Sequence, residues 1–276
     1  MWADKYRPET LSDYRGANSE KEELKAWASN WEVGDKPVLL HGPPGTGKTS
    51  LVEALANDLG YELMETNASD ARTKKKLKKE LKQATQQKSF FGGKKLILVD
   101  EVDGMSASDR GGTQELNRIV KDTKFPIVMT ANDAYDKKIR SLRNKSKLIE
   151  IGNVHTNSIN AHLKQILEEE GIEYDKKAVK TIARQADGQM RSAINDLEAA
   201  ASGKQRLEMD DLDPIGIRDS EQDIFDSLKM IFKTESAQTA KDATNNLDED
   251  PDTFLQWVRE NIPREYQRSG DNARAY

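Results

Sequence analysis

Two short strings of this sequence carry residues that could do chemistry: glycines, a lysine and a threonine in the first, and three acids in the second. The first reads G-P-P-G-T-G-K-T from Gly42 to Thr49 and follows a short apolar run that predicts a buried strand. Glycines let such a loop wrap its N–H groups around phosphate oxygens, and a helix beginning near Lys48 adds its positive N-terminal end. We expect Lys48 to reach the β- and γ-phosphates of a nucleoside triphosphate and the Thr49 hydroxyl to bind Mg²⁺. The predicted loop contacts are Gly42, Pro43, Pro44, Gly45, Thr46, Gly47, Lys48, Thr49 and Ser50.

The second string reads L-I-L-V-D-E-V-D over residues 96–103. Its four consecutive apolar residues predict a strand that is buried on both faces of a parallel sheet. Asp100 then lies at the carboxyl end of that strand, where such sheets bind their ligands. We expect Asp100 to hold Mg²⁺, directly or through water, and Glu101 to orient and activate an attacking water. The two strings together predict hydrolysis of ATP; the alternative for Glu101 is a solvated loop acid.

Composition excludes several classes of protein. The 276 residues are 33% charged with a mean hydropathy of -0.83, which is typical of a soluble protein. No apolar run approaches the roughly 20 residues of a membrane span, and the polar N-terminus does not resemble a signal peptide. The absence of cysteine excludes disulfides and thiolate zinc sites. The net charge of -5 means that any contact with nucleic acid has to come from a local basic patch.

Residues 37–151 alternate short apolar runs with helical patterns, which predicts an α/β sheet with helices on both faces. The predicted strands are Val38–His41, Leu63–Asn67, Leu96–Asp100, Ile127–Thr130 and Leu148–Ile151. Helices are predicted near 48–59, 71–86 and 113–122.

After about residue 154 we expect no further strands. Amphipathic helices are predicted over Ser158–Glu169, Asp175–Gln185, Met190–Ala201, Asp219–Phe232, Ala237–Asn246 and Thr253–Asn261. This pattern divides the chain into a nucleotide-binding α/β domain (1–154), a small helical lid domain (155–215) and the start of another helical domain (216–276).

Several segments resemble one protein family, the clamp loaders of the replication factor C type. The phosphate loop and the acidic strand are shared with all AAA+ ATPases, whereas other segments are closer to the large subunit of these loaders than to the small ones. The resemblance covers nearly the whole chain and implies an AAA+ parallel-sheet domain, a helical lid and a partial helical collar. The segments that resemble the clamp-loader family as a whole are Trp2–Pro8 with Asp13 and Gly16, and Asn67–Asp70 with Arg72. Those closer to the large subunit are Val102–Met105, Asp109–Gly112 with Gln114–Leu116, and Lys138–Leu142.

The resemblance also implies roles for residues outside the two strings. Asn132 matches the first sensor, whose amide contacts the γ-phosphate or the attacking water, and Arg191 matches the second sensor on a lid helix. The alternatives are a turn-forming asparagine and an ordinary surface arginine. The segment Tyr6, Arg7 and Pro8 matches the part that lies over the adenine, together with Tyr14 or nearby apolar residues; the alternative is an extended arm packed on the sheet.

One departure from the family pattern concerns the arginine that small subunits insert into a neighbouring ATP site. Lys145 stands at that position, and a lysine lacks the bidentate guanidinium fork. The chain is therefore expected not to complete a neighbour's site, but to receive an arginine from an adjacent small subunit. Arg140 and Arg143 lie close by in the sequence and are the alternative donors.

Contacts with DNA are expected through phosphates, since a clamp loader has no need to read sequence. The predicted contacts are Arg110 and Gly111 at the start of a helix, followed by Arg118 and Lys121. A solvated helix face is the alternative. For the lysine-rich stretch Lys74–Lys82, the solvated face is the favoured interpretation.

These features predict the large subunit of an ATP- and Mg²⁺-dependent loader that opens a sliding clamp and places it on primer–template DNA during replication. The expected partners are four small subunits, the clamp and the DNA, with no membrane. A motor module that begins at residue 1 favours an archaeal, cytoplasmic protein over a eukaryotic, nuclear one. The alternatives are another AAA+ DNA motor, such as a branch-migration helicase, and a nucleotide-gated scaffold with little turnover.

Overall fold

The computed structural model describes residues 1–68, 94–105, 110–213 and 259. The chain forms two compact units, Met1–Ile215 and Gly216–Tyr276. The lysine-rich stretch Lys74–Lys82 lies outside the described residues, as do nearly all of the residues in the helices predicted after 215. The three domain boundaries stay predictions, and the description below concerns the first unit.

Five parallel strands form the central sheet, in the order β2-β3-β4-β1-β5. They are β1 (Val38–His41), β2 (Glu62–Asn67), β3 (Lys95–Asp100), β4 (Ile127–Ala131) and β5 (Lys147–Glu150). Every residue of β4 is buried, as are the first five of β3, which agrees with their uninterrupted apolar sequence. The predicted α/β fold is confirmed, with each strand end within one residue of its expected position.

Helices cover both faces of this sheet. Successive residues of a strand point to opposite faces, so Val38 and Leu40 pack on one side and Leu39 on the other. The Val38 side is covered by the second and third helices, and the Leu39 side by the fourth. The helices of the described residues are α1 (Trp2–Lys5), α2 (Asn18–Ser29), α3 (Lys48–Leu59), α4 (Arg110–Asp122), α5 (Arg140–Arg143), α6 (Thr156–Glu169), α7 (Lys176–Gln185) and α8 (Met190–Ala201).

The last three helices pack on one another through buried apolar residues such as Leu163, Ile182 and Leu197. The expectation that strands end near residue 154 was wrong, because β6 (Glu173–Tyr174) pairs in parallel with β7 (Arg206–Leu207). Strands of two residues are too short to produce a periodic pattern in the sequence. No helix within the described ranges is both long and apolar enough to cross a membrane.

Candidate active site

The phosphate loop, the acidic strand end and the predicted first sensor meet at the carboxyl edge of the sheet. The loop connects β1 to α3, while Asp100 and Asn132 lie at the ends of the neighbouring strands β3 and β4. Lys48 is only 8% exposed, and its Nζ donates to the carbonyls of Gly42 at 2.8 Å and Pro43 at 2.9 Å. The same Nζ donates to Asn132 Oδ1 at 3.1 Å. A bound triphosphate therefore has to take over part of the hydrogen bonding of this ammonium group.

The environment of Lys48 acts on its charge in two directions. Burial lowers the pKa of Lys48, because the charged form loses contact with water. The carboxylates of Asp103, Asp100 and Glu101 raise the same pKa, whereas the cation of Arg191 lowers it. Three acids and the predicted second sensor thus lie close enough to Lys48 to influence its charge.

Gly42 is required by its surroundings at the end of β1. Its φ is +143°, and a Cβ built on it would lie 2.0 Å from the carbonyl oxygen of Ile151. That oxygen belongs to backbone just after β5, so it cannot move aside without disturbing the sheet edge. The first glycine of the loop therefore allows close approach of two chain segments.

A hydroxyl and a carboxylate lie together where Mg²⁺ is expected. Thr49 Oγ1 donates to Asp100 Oδ1 at 3.0 Å and to Oδ2 at 3.1 Å. No cluster of three or more histidine, aspartate or glutamate side chains in the described part of the chain could hold a metal ion by itself. One hydroxyl and one carboxylate fit Mg²⁺, which keeps several waters and also binds substrate phosphates.

Thr130 connects the two acids to the neighbouring strand, and sequence reasoning did not identify it. Its hydroxyl donates to Asp100 Oδ1, and its oxygen accepts the backbone N–H of Glu101 at 2.9 Å. Glu101 has a φ of +53°, a left-handed conformation that is uncommon for a residue with a side chain. The buried threonine thus holds the backbone at the point where Glu101 leaves the sheet.

The side chain of Glu101 is exposed and bonded to a neighbouring strand end. Asn67 Nδ2, on the last residue of β2, donates to Glu101 Oε2 at 3.2 Å. This bond fixes one oxygen of the carboxylate that is expected to accept a proton from water. The sequence singled out Asn67 only because the segment that begins there resembles one of the clamp-loader family, so this bond was not predicted.

A cavity of about 550 Å³ opens beside the phosphate loop, a volume within the usual range for small-molecule sites. The predicted adenine segment Tyr6, Arg7 and Pro8 lines it, together with Thr46 and Gly47 of the loop. Arg191 lines it from the lid, in the first turn of α8. The residues predicted to cover the adenine and the residue predicted as the second sensor therefore border the same cavity as the phosphate loop.

The N-terminal segment is attached to both sides of this cavity. Lys5 Nζ and Tyr6 Oη donate to Glu170 Oε1 in the lid at 2.6 and 2.8 Å. Arg7 donates to Glu53 of α3 at 2.7 Å. The segment thus connects the lid with the helix that follows the phosphate loop.

Tyr14 contacts the loop itself, in addition to lining the cavity. Its Oη donates to the carbonyl of Thr46 at 2.7 Å, and its ring lies where a Cβ on Gly47 would approach to 3.1 Å. Burial raises the pKa of Tyr14 far above its ordinary value, so the hydroxyl stays protonated and able to donate. Sequence reasoning placed Tyr14 near the base but missed this bond.

Four residues were predicted to contact DNA, and all four belong to α4. Arg118 and Lys121 are exposed on α4 while Leu116 and Ile119 of the same helix are buried. Arg110 and Gly111 form the start of that helix. The assignment of these four residues to DNA stays a prediction.

The three basic residues around the family's arginine position differ in their surroundings. Lys145 and Arg140 are exposed, whereas Arg143 is partly buried. The Arg143 guanidinium lies 4.9 Å from the ring centre of Tyr135 and donates to the Ala134 carbonyl at 3.4 Å. Arg143 is therefore engaged within this chain.

Two family models match the chain. The model described as "ATPase family associated with various cellular activities (AAA)" matches residues 38–153. The model described as "DNA polymerase III clamp loader subunit, ATPase lid domain" matches residues 158–201.

Curated relatives named "Replication factor C large subunit" match the chain over its entire length. The protein of Methanococcus aeolicus is 46% identical over 278 residues, and that of Methanopyrus kandleri is 43% identical over 296. The Methanosphaera stadtmanae protein is 39% identical over 279 residues. The chain spans 58%, 58% and 52% of these relatives, respectively, or little more than half of their length.

Among solved structures, the RuvB Holliday junction branch migration motor of Thermotoga maritima superposes with a TM-score of 0.62. The match covers 92% of this chain and 91% of that one at 20% sequence identity, which shows a shared fold and nothing more.

Proposed function

Because this chain belongs to the AAA ATPase family, in the group of replication factor C large subunits, we propose that it is an ATPase of a sliding-clamp loader. The observation that carries this proposal is the meeting of Lys48, Asn132 and the Thr49–Asp100 pair at the carboxyl edge of the sheet. Glu101 follows Asp100 directly at the same edge. Such an arrangement combines phosphate binding, metal binding and a general base within one site.

Each residue has a separate task in this proposal. Lys48 exchanges its loop carbonyls for phosphate oxygens when ATP enters, and Asn132 turns its amide from Lys48 to the γ-phosphate or the attacking water. Thr49 and Asp100 would hold Mg²⁺, and the bound ion would neutralise charge on the phosphates. Glu101 accepts the proton of the attacking water once its carboxylate is released from Asn67.

The nucleotide also joins the lid to the sheet domain. The loop residues 42–50 cradle the phosphates, and the segment Tyr6, Arg7 and Pro8 covers the adenine. Arg191 lies at the start of α8 and lines the same cavity. Its guanidinium is expected to contact the γ-phosphate from the lid. Loss of that phosphate then changes the contacts that set the angle of the lid.

The proposed partners are four small subunits, a sliding clamp and primer–template DNA. ATP binding drives assembly and clamp opening, and hydrolysis releases the clamp around DNA. Because Lys145 stands where the family pattern has an arginine, this chain does not complete a neighbour's site. Its own site is completed by an arginine from an adjacent small subunit. The archaeal relatives support a cytoplasmic location.

DNA is proposed to lie along α4, where its phosphates contact Arg110, Gly111, Arg118 and Lys121. Each lysine or arginine that contacts a phosphate adds about one to the slope of log affinity against log salt. Alanine at Lys121 is expected to lower that slope by about one, with equal weakening on unrelated DNA sequences.

Two alternatives are weaker. A branch-migration motor is suggested by the fold of RuvB, but at 20% identity that likeness concerns the fold alone. A scaffold with little turnover is disfavoured because Asp100 and Glu101 are both present and Glu101 reaches solvent.

The test is steady-state ATP hydrolysis by the full-length protein, alone and with small subunits, clamp and primed DNA. Glu101→Gln is expected to keep ATP affinity and to reduce turnover by about 100-fold or more, as loss of a general base does. Glu150→Gln is the matched control, since Glu150 is an exposed glutamate at the end of β5. Turnover in Glu101→Gln equal to that in Glu150→Gln would refute the proposed chemistry.

A further inference from the structure

Asp103, the last acid of the second string, makes contacts that give it a task of its own. It lies in a 3₁₀ turn, Val102–Gly104, that follows β3. Its Oδ2 accepts the backbone N–H of Asn132 at 2.8 Å and that of Asp133 at 3.1 Å. One carboxylate oxygen therefore caps two successive N–H groups of the loop that follows the neighbouring strand β4.

These two N–H groups belong to residues that lie just beyond the end of the ladder between β1 and β4. The ladder between β1 and β4 ends with the pair His41 and Ala131, so Asn132 is the first residue beyond it. The Asn132 side chain is exposed, and its Oδ1 accepts a hydrogen bond from Lys48 at 3.1 Å. The direction of that amide depends on how the backbone leaves β4, which the Asp103 carboxylate restrains.

Asp103 is itself held in place without help from Asn132. Its neighbour Val102 is fully buried in the same apolar cluster as Ile139. Lys138 Nζ donates to the backbone carbonyl of Asp103 at 3.3 Å. The 3₁₀ turn is thus a fixed support, and the loop that carries Asn132 rests on it.

The charge of Asp103 is also felt within the site. Among the nearby carboxylates, that of Asp103 has the largest effect in raising the pKa of Lys48. Asp103 therefore lies near both residues that are expected to meet the terminal phosphate, although it is aimed at the loop backbone.

We propose that Asp103 is a positioning residue for ATP hydrolysis. By holding the backbone of Asn132, it keeps the side-chain amide of that residue in the orientation that meets the γ-phosphate and the attacking water. It acts through Asn132 and does not contact the nucleotide itself. This inference rests on the proposed function, since it concerns the same reaction.

The test is a double-mutant cycle on the full-length protein in its complex with small subunits, clamp and primed DNA. Turnover and KM for ATP are measured for Asp103→Ala, Asn132→Ala and the double variant. Asp103→Ala is expected to lower kcat by about 10- to 100-fold, the range for a misplaced catalytic group, with KM nearly unchanged. In the Asn132→Ala background the same change is expected to have almost no further effect, because both substitutions remove one function.

Two further variants separate positioning from general damage. Asp103→Asn keeps an oxygen that can accept from the loop, so it is expected to restore part of the lost kcat. Asp175→Ala is the matched control, since the Asp175 carboxylate also caps a backbone N–H, that of Lys177, at the start of α7 in the lid. It is expected to leave kcat near that of the wild type. Should Asp103→Ala fail to fold, Asp103→Asn replaces it in both backgrounds.

Three results overturn the inference. They are a wild-type kcat in Asp103→Ala, an equal loss of kcat in the presence and absence of Asn132, and a rise in KM without a loss of kcat. A wild-type complex without turnover, or full turnover in Glu101→Gln, overturns the proposed function together with this inference. If Glu101→Gln loses turnover as expected while Asp103→Ala keeps the wild-type kcat, the inference alone is overturned.

Discussion

Replacing Tyr14 by phenylalanine removes one oxygen from the support of the phosphate loop and leaves the ring in place. The lost hydroxyl donates to the Thr46 carbonyl at 2.7 Å. Tyr14 is 5% exposed and Thr46 is 1% exposed, so water has little access to the carbonyl that loses its donor. A buried acceptor left in this way costs about 1–3 kcal/mol.

This cost is divided between stability and ATP binding. If the loop keeps its shape without nucleotide, the free energy of unfolding falls by the full amount. If the loop relaxes instead, ATP has to order it again on binding. Each 1.4 kcal/mol of free energy that this ordering costs raises Kd about tenfold. We expect both effects, with Kd for ATP raised about fivefold, which corresponds to about 1 kcal/mol. The difference is expected to persist at mildly alkaline pH, because burial raises the pKa of Tyr14 and keeps its proton in place.

The assay is ATP titration by calorimetry, with thermal unfolding of the nucleotide-free protein alongside. Tyr61→Phe is the matched control, because Tyr61 also donates its hydroxyl to a backbone carbonyl, that of Ala28, at 2.8 Å. That bond is remote from the loop, so its loss is expected to lower stability without changing Kd. An unchanged Kd in Tyr14→Phe, equal to that in Tyr61→Phe, would mean that the hydroxyl does not hold the loop ready for phosphate.

Two further substitutions test other parts of the site. Gly42→Ala places a Cβ 2.0 Å from the Ile151 carbonyl oxygen and is expected to abolish ATP binding or folding, whereas Gly152→Ala, with open space around its Cβ, should behave as wild type in the same binding assay. His162 borders the cavity, and its pKa is lowered by burial and then by the nearby cation of Arg15. The unfolded chain therefore takes up this proton first as pH falls below 6.5, so the free energy of unfolding should decrease there, and less steeply in His162→Gln. An identical pH dependence in His162→Gln and wild type would show that this imidazole is not the group responsible.

The sequence predicted the parts of the site whose residues are neighbours along the chain. Lys48 and Thr49 close a loop of contiguous residues, and Asp100 follows a strand whose burial is evident from four apolar letters. Their meeting also followed, because carboxyl ends of parallel strands share one edge of a sheet. The ends of the five strands were placed to within one residue because each strand is a short apolar run.

What escaped prediction are contacts between residues far apart in the sequence. The bonds of Thr130 to Glu101, of Asp103 to Asn132 and of Tyr14 to Thr46 each join residues about thirty positions apart. They depend on which strands are neighbours and on where loops leave the sheet, and no local pattern of residue types encodes either. The small β6–β7 pair escaped because two residues do not make a periodicity.

Loading of clamps onto primed circular DNA tests the central claim most directly. The full-length protein is combined with small subunits, labelled clamp and ATP, and clamps retained on DNA are counted for wild type and for Lys48→Ala. Lys48 is the phosphate ligand of the proposed site, and loss of hydrogen bonds to a charged group, at about 1.5–3 kcal/mol, weakens ATP binding by roughly 10- to 100-fold. The account predicts ATP-dependent loading by the wild type and little loading by Lys48→Ala at limiting ATP. Equal loading by the two proteins over the whole range of ATP concentrations would contradict it.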